Sequence, residues 1–152
     1  MTTGAADPLF LDTNILVFAS VPEAPLHAIA LNAIRHLTRA GAELWVSRQT
    51  LREFLATLSR PQSFGDPVPT LLLTPQIRFF ERSFRVAEDG PDVTARLLAL
   101  IERIPTGGKQ IHDANFVATM LTYGVGRLLT HNVADFTRFG SLITVIRLAT
   151  RS

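Results

Sequence analysis

Apolar residues fall along this chain in two rhythms. Short continuous runs, Leu9-Phe10-Leu11, Leu44-Trp45-Val46, Leu128-Leu129 and Ile143-Thr144-Val145-Ile146, have the length and composition of buried parallel strands. Between them, apolar positions recur every three or four residues: Leu26, Ala30, Ala33, Ile34 and Leu37; then Leu51, Phe54, Leu55 and Leu58; then Val93, Leu97, Leu98, Ile101 and Ile104. That spacing predicts amphipathic helices. Residues 111–121 continue it and are closed by Tyr123-Gly124, and a turn of helix follows Asp12 at Ile15-Leu16-Val17-Phe18.

Breaks fall at Val21-Pro22-Glu23-Ala24-Pro25, Ala40-Gly41, Asp89-Gly90-Pro91 and Pro105 with Gly107-Gly108. Residues 60–74 are rich in Pro and Gly and predict a loop, a candidate flap, after which Thr74-Pro75 reads as a cap with Pro at the first helical position of Ile77 to Phe84. A short strand at Arg85-Val86-Ala87 and a polar turn from His131 through Phe136 complete the sequence, with a short basic tail. Strands alternating with helices predict a parallel sheet covered on both faces. No internal repeat or low-complexity tract divides the chain, so residues 1–152 are expected to form one domain.

Composition narrows the chemistry. A hydrophobic fraction of 47% over 152 residues supports a compact core rather than disorder. No apolar run reaches the roughly 18 residues of a spanning helix, and the N-terminus lacks a leader pattern, so a cytoplasmic protein without a membrane partner is expected. With no Cys there is no disulfide, thiolate zinc site or cysteine nucleophile, and any metal must be held by oxygen or imidazole. The 15 Lys and Arg residues exceed the 13 acids only slightly. If some of those acids gather in one site, the rest of the surface becomes more basic and suits a polyanion.

The acids do recur in comparable settings. Asp12 and Asp135 follow strands, while Glu53 and Asp113 fall in the early turns of helices that start at the same sheet edge. Each alone reads equally well as a cap or a surface residue: Asp12, Thr13 and Asn14 are all good cap residues, and Asp113 is favoured near a helix N-terminus, where the dipole helps it stay ionised. Together, in a right-handed α/β fold, they converge on the end where open sheets place ligands. Crowded carboxylates call for a hard, oxygen-loving cation, Mg²⁺ or Mn²⁺, of the kind that supports attack on phosphorus.

Asp12-Thr13-Asn14 after a strand, Glu53 within Thr50-Leu51-Arg52-Glu53-Phe54, Asp113 in Ile111-His112-Asp113-Ala114, and Thr130-x-Asn132-x-x-Asp135-Phe136 resemble, in order and spacing, the PIN domain of VapC-like toxins. The resemblance spans nearly the whole chain. It implies a three-layer α/β/α fold with a central five-stranded parallel sheet and a metal-dependent ribonuclease activity. By the same resemblance Asp12, Asp113 and Asp135 would ligate Mg²⁺ or Mn²⁺, Glu53 would orient the attacking water or act as base, and Thr130, Asn132 and Asn14 would hold the site by hydrogen bonds. It also implies a homodimer and a small antitoxin that reaches into the acidic groove. The segment after Arg60 departs from the family by its length.

Other readings compete. A housekeeping RNA-processing nuclease would use the same residues. A haloacid-dehalogenase-like phosphatase also starts from an Asp ending the first strand, but its usual second Asp is here Asn14. A non-catalytic RNA-binding module would be expected to have lost acids, and all of Asp12, Glu53, Asp113 and Asp135 are present. Lys109, Arg48 and Arg52 are candidates for RNA backbone contacts. Gly107-Gly108-Lys109 lacks both the earlier Gly and the following Ser or Thr of a phosphate loop. His112 and His131 adjoin acids, whereas His27 and His36 are expected in solvent.

Overall fold

The computed structural model describes residues 7–149; residues 1–6 and 150–152, the end of the basic tail among them, lie outside the described part. Five parallel strands, β1 (Leu9–Leu11), β2 (Leu44–Ser47), β3 (Arg85–Ala87), β4 (Arg127–Thr130) and β5 (Thr144–Arg147), form one sheet in the order β3-β2-β1-β4-β5. Six helices connect them: α1 (Thr13–Ser20), α2 (His27–Arg39), α3 (Arg48–Leu58), α4 (Thr70–Ser83), α5 (Pro91–Arg103) and α6 (Gln110–Tyr123).

Strand geometry divides the core. Successive side chains point to opposite faces, so Leu9 and Leu11 join a cluster with Ile15, Leu51, Phe54 and Phe80 from α1, α3 and α4. Phe10 enters the other cluster, with Phe116, Met120 and Phe136, and its ring meets Phe116 edge-on at 5.3 Å. Leu128 and Leu129 of β4 split in the same way. The expected parallel sheet with helices on both faces is therefore the one observed.

Three sequence expectations are corrected. The loop expected to run to Thr74 ends at Pro69, and α4 begins at Thr70, which places Pro75 inside the helix rather than at its first position. A helix-interior Pro lacks the N–H that would bond the carbonyl four residues back, here Leu71. The Thr74 hydroxyl donates to that Leu71 carbonyl at 3.0 Å and takes up the orphaned acceptor. The polar turn expected after β4 is a 3-10 helix, Val133–Phe139, anchored by buried Phe136 and Phe139. His27 is not solvated: it is half-buried, and its Nδ1 lies 2.8 Å from the Phe18 carbonyl. His36 is exposed as expected.

The chain winds outward from β1 through β2 to β3, then returns to the other side of β1 for β4 and β5. The point of reversal lies between β1 and β4, where open α/β sheets form a crevice at the carboxyl ends of their strands. Asp12 follows β1, and Thr130 ends β4 with residues 131–135 after it, so these two polar stretches meet there.

A candidate acidic active site

Asp12 is the cap of α1 and also lines a cavity. Its backbone is extended (φ −74°, ψ 158°) at the N-cap of α1, and one carboxylate oxygen accepts from the Thr13 N–H at 2.7 Å. The other accepts from the Thr130 hydroxyl at 2.8 Å and from the Asn14 amide at 3.2 Å. Asn14 is a clamp across the switch point: its amide nitrogen lies 3.4 Å from Thr130 Oγ1, and its carbonyl oxygen accepts from the His131 N–H at 3.1 Å. Thr130 Oγ1 also accepts from the Asn132 N–H at 2.9 Å, which sets the path of the chain toward Asp135.

Glu53 approaches from α3, a helix begun by Ser47, whose hydroxyl accepts from the Thr50 N–H at 3.1 Å. The buried neighbour Phe54 fixes the helix roll and leaves Glu53 half-buried at the crevice. One Glu53 oxygen accepts from the Thr13 hydroxyl at 2.9 Å; the other lies 3.3 Å from Gln49 Nε2. Asp113 enters from the first turn of α6, and Asp135 from the exposed side of the 3-10 helix. All four acids line one cavity of 430 Å³ together with Thr13, Asn14 and Asn132. Thr130 stands behind Asp12, fully buried.

The electrostatics follow from that crowding. Burial pushes the Asp12 carboxyl up to about 6, against the lowering effect of its hydrogen bonds, with Glu53 and Asp135 adding repulsion. Asp113 is likewise pushed up to about 6, by desolvation first and then by Asp135, Asp12 and Glu53. The helix dipole expected to keep Asp113 ionised is outweighed by desolvation first and then by these neighbours.

Hard carboxylate oxygens under mutual repulsion are the donor set that Mg²⁺ or Mn²⁺ requires. Among the described residues, no three acidic or imidazole side chains stand close enough to cage a metal on their own. The arrangement suits an ion that keeps several waters and takes one or two carboxylates from the protein, as Mg²⁺ does.

Gln49 is a residue that sequence reading passed over. Its side chain is buried, and its amide nitrogen donates to the His112 carbonyl at 3.0 Å as well as facing Glu53. Its oxygen accepts from the Asn115 amide at 2.9 Å. One side chain thus ties Glu53 on α3 to the first turn of α6, which carries Asp113. The available signal was its position four residues before Glu53, on the same helix face.

The basic candidates lie elsewhere. Arg48 pairs with Glu81 at 2.6 Å and Glu88 at 3.0 Å, which together favour its charged form, and Arg52 pairs with Asp89 at 3.4 Å. Lys109 is exposed at the N-cap of α6. None of these cations is among the residues lining the cavity. His112 is exposed, and His131 packs edge-on against Phe18 at 5.5 Å.

The PIN domain family matches residues 9–141, a span that includes every strand except β5 and all four acids. The chain belongs to the PIN domain family. Solved PIN structures agree in fold. VapBC2 from Rickettsia felis, bound to a DNA fragment from its promoter, superposes with a TM-score of 0.67 at 17% identity, covering 92% of this chain and 98% of that one. A toxin–antitoxin complex from Klebsiella pneumoniae gives 0.65 at 18% identity over 94% of this chain and 99% of that one. VapC20 from Mycobacterium tuberculosis, a toxin that cleaves the sarcin–ricin loop, gives 0.59 at 18% identity over 79% and 86%. No curated protein sequence matches significantly. Within this PIN domain Asn14 occupies the position where a haloacid-dehalogenase-like phosphatase would need a second acid, and it serves there as a hydrogen-bonding clamp.

Proposed function

We propose that this PIN domain is a divalent-metal-dependent RNA endonuclease acting as the toxin of a toxin–antitoxin pair. The observation that carries the reading is the convergence of Asp12, Glu53, Asp113 and Asp135, from four separate elements, on one cavity at the switch point. The fold shared with VapC toxins supports it.

In this reading Asp12, Asp113 and Asp135 would hold Mg²⁺ or Mn²⁺, one or two of them directly and the rest through the waters that the ion keeps. That ion supplies charge neutralisation and Lewis acidity toward a phosphodiester and water. Thr130 and Asn14 keep the Asp12 carboxylate aimed into the crevice, and Asn132 lines the wall beside Asp135. Glu53, gripped by Thr13 and Gln49, retains lone pairs with which to orient the attacking water and accept its proton. Lys109 has no acidic partner among the described residues, and its charge would serve a contact with the RNA backbone. Arg48 and Arg52 would have to leave their acids to do the same.

The partners we propose are RNA, a small antitoxin and a second copy of the chain. Leu71, Leu72 and Phe79 of α4 are 78%, 68% and 50% exposed, an apolar surface of the kind a protein partner covers. A cytoplasmic setting belongs to the same proposal, and among the described residues no helix is long and apolar enough to cross a membrane.

The test is cleavage of a small-RNA pool by purified protein with Mn²⁺, Mg²⁺ or chelator, beside Asp12→Asn. Discrete metal-dependent fragments, lost in the variant, are expected. A folded wild-type protein that binds the ion and cuts no RNA would overturn the reading.

A further inference from the structure

The cavity extends beyond the acids. Along α3 the lining residues Glu53, Ala56 and Thr57 follow one another at helical spacing, and Arg60 comes just past the C-terminal end of that helix. Opposite them Val17 and Phe18 come from the second turn of α1, and Gln62 and Phe64 from the loop after α3. The result is a lobe with a half-apolar wall and one cation, continuous with a pole made of four acids.

The loop that builds this wall is pinned rather than free. Gln62 and Gly65 exchange backbone hydrogen bonds at 3.0 and 3.2 Å in a tight antiparallel bridge. The Gln62 amide donates to the Thr57 carbonyl at 2.7 Å, and the Val68 N–H donates to the Leu58 carbonyl at 2.7 Å. Arg60 Nε donates to the Ala56 carbonyl at 3.0 Å, which holds the stem of that side chain against α3. Phe64 is half-buried against the core while still lining the cavity. A preorganised aromatic wall loses little freedom when a ligand arrives.

Resting on the nuclease reading above, we propose that this lobe is a subsite for one unpaired nucleobase next to the scissile phosphate. Phe64 would form its stacking wall, and Arg60 would meet the neighbouring phosphate. A strand whose phosphate reaches the acids must continue across the cavity, and the lobe is where the lining changes from carboxylates to aromatic, amide and guanidinium groups. Those are the groups that recognise single-stranded RNA, whose bases can leave the stack, whereas A-form duplex hides its base edges. Arg60 has no acidic partner among the described residues, so its charge is free to meet a phosphate.

The experiment uses the full chain in an Asp12→Asn background, to prevent cutting. It measures affinity for a single-stranded RNA oligomer derived from a mapped cleavage site, and for the same oligomer made abasic at each nucleotide flanking the scissile bond. Phe64→Leu keeps apolar packing and removes the ring; Phe64→Trp keeps a ring. Base stacking contributes about 1–3 kcal/mol, so Phe64→Leu is expected to weaken the intact oligomer about 5- to 150-fold. It should leave one abasic oligomer unchanged, and Phe64→Trp should restore binding.

Equal weakening of intact and abasic oligomers, or none, would overturn the subsite. The two readings fail separately. If wild-type protein cuts RNA while Phe64→Leu cuts the same sites with the same flanking-base preference, the subsite falls and the nuclease stands. If wild-type protein cuts no RNA, both fall.

Discussion

Replacing Asp12 by Asn should stabilise the metal-free protein at neutral pH, although it removes a hydrogen-bonded carboxylate from the heart of the fold. Asp12 is 9% exposed, and its carboxyl is pushed from 3.8 up to about 6 by burial and by Glu53 and Asp135. At pH 7.5 the ionised form therefore lowers folding stability by about 3 kcal/mol relative to an unperturbed carboxyl. Asn carries no charge and escapes that cost. It keeps an oxygen for the Thr13 N–H but presents an N–H where the carboxylate accepts from Asn14 and Thr130. The Thr130 hydroxyl can turn to accept, whereas Asn14 is held by the His131 N–H, so about one mismatched hydrogen bond remains, costing about 1 kcal/mol.

The expected balance is about +2 kcal/mol at pH 7.5, or about 4–8 °C in Tm for a domain of this size. The sign reverses in acid. Between about pH 4 and 6 the folded protein holds a proton on Asp12 that the unfolded chain has released, so wild-type stability falls as pH rises through that window. Below pH 4 both states are protonated, the advantage of Asn vanishes, and only the mismatch is left. Thermal or urea unfolding of both proteins in chelator at pH 4 and 7.5 is the assay. Asp12→Asn less stable than wild type by the same amount at both pH values would show that burial of the Asp12 charge costs the fold nothing.

Added Mn²⁺ should stabilise wild type more at pH 7.5 than at pH 5, where Asp12 and Asp113 are largely protonated, and should stabilise Asp12→Asn much less; a concentration at 100 times Kd raises stability by about 2.7 kcal/mol, read as a Tm shift. Gln49→Leu should lower kcat of RNA cleavage by about 10-fold with little change in KM, because it loosens Glu53 against α6, and hydrogen exchange should rise in the first turn of α6; unchanged kcat with lower Tm alone would make Gln49 merely structural. Thr74→Val should cost about 0.5 kcal/mol by handing the exposed Leu71 carbonyl from the hydroxyl to water, and should cost almost nothing in a Pro75→Ala background, where residue 75 regains its N–H; equal costs in both backgrounds, measured by urea unfolding, would remove this account of α4.

The layers of the fold, and the strand ends and helix starts at which the acids fall, were legible from local pattern alone. Runs such as Leu9-Phe10-Leu11 can be buried on both faces only in a parallel sheet, and the spacing of Leu51, Phe54 and Leu58 commits α3 to one buried side. The placement of Asp12 directly after β1, and of Thr130, Asn132 and Asp135 at and after the end of β4, was legible because strand ends are local features.

Other features depended on partners far along the chain. Arg48 and Arg52 look like free cations until Glu81, Glu88 and Asp89 fold against them. Gln49 is an ordinary helix residue until the His112 carbonyl, 63 positions away, arrives beside it. The raised pKa of Asp113 follows first from its burial and then from Asp135, Asp12 and Glu53 gathering around it, tertiary effects that override the local preference of a helix N-terminus. The start of α4 escaped a local reading for the opposite reason: a single side-chain hydrogen bond from Thr74 offsets the rule that Pro75 imposes.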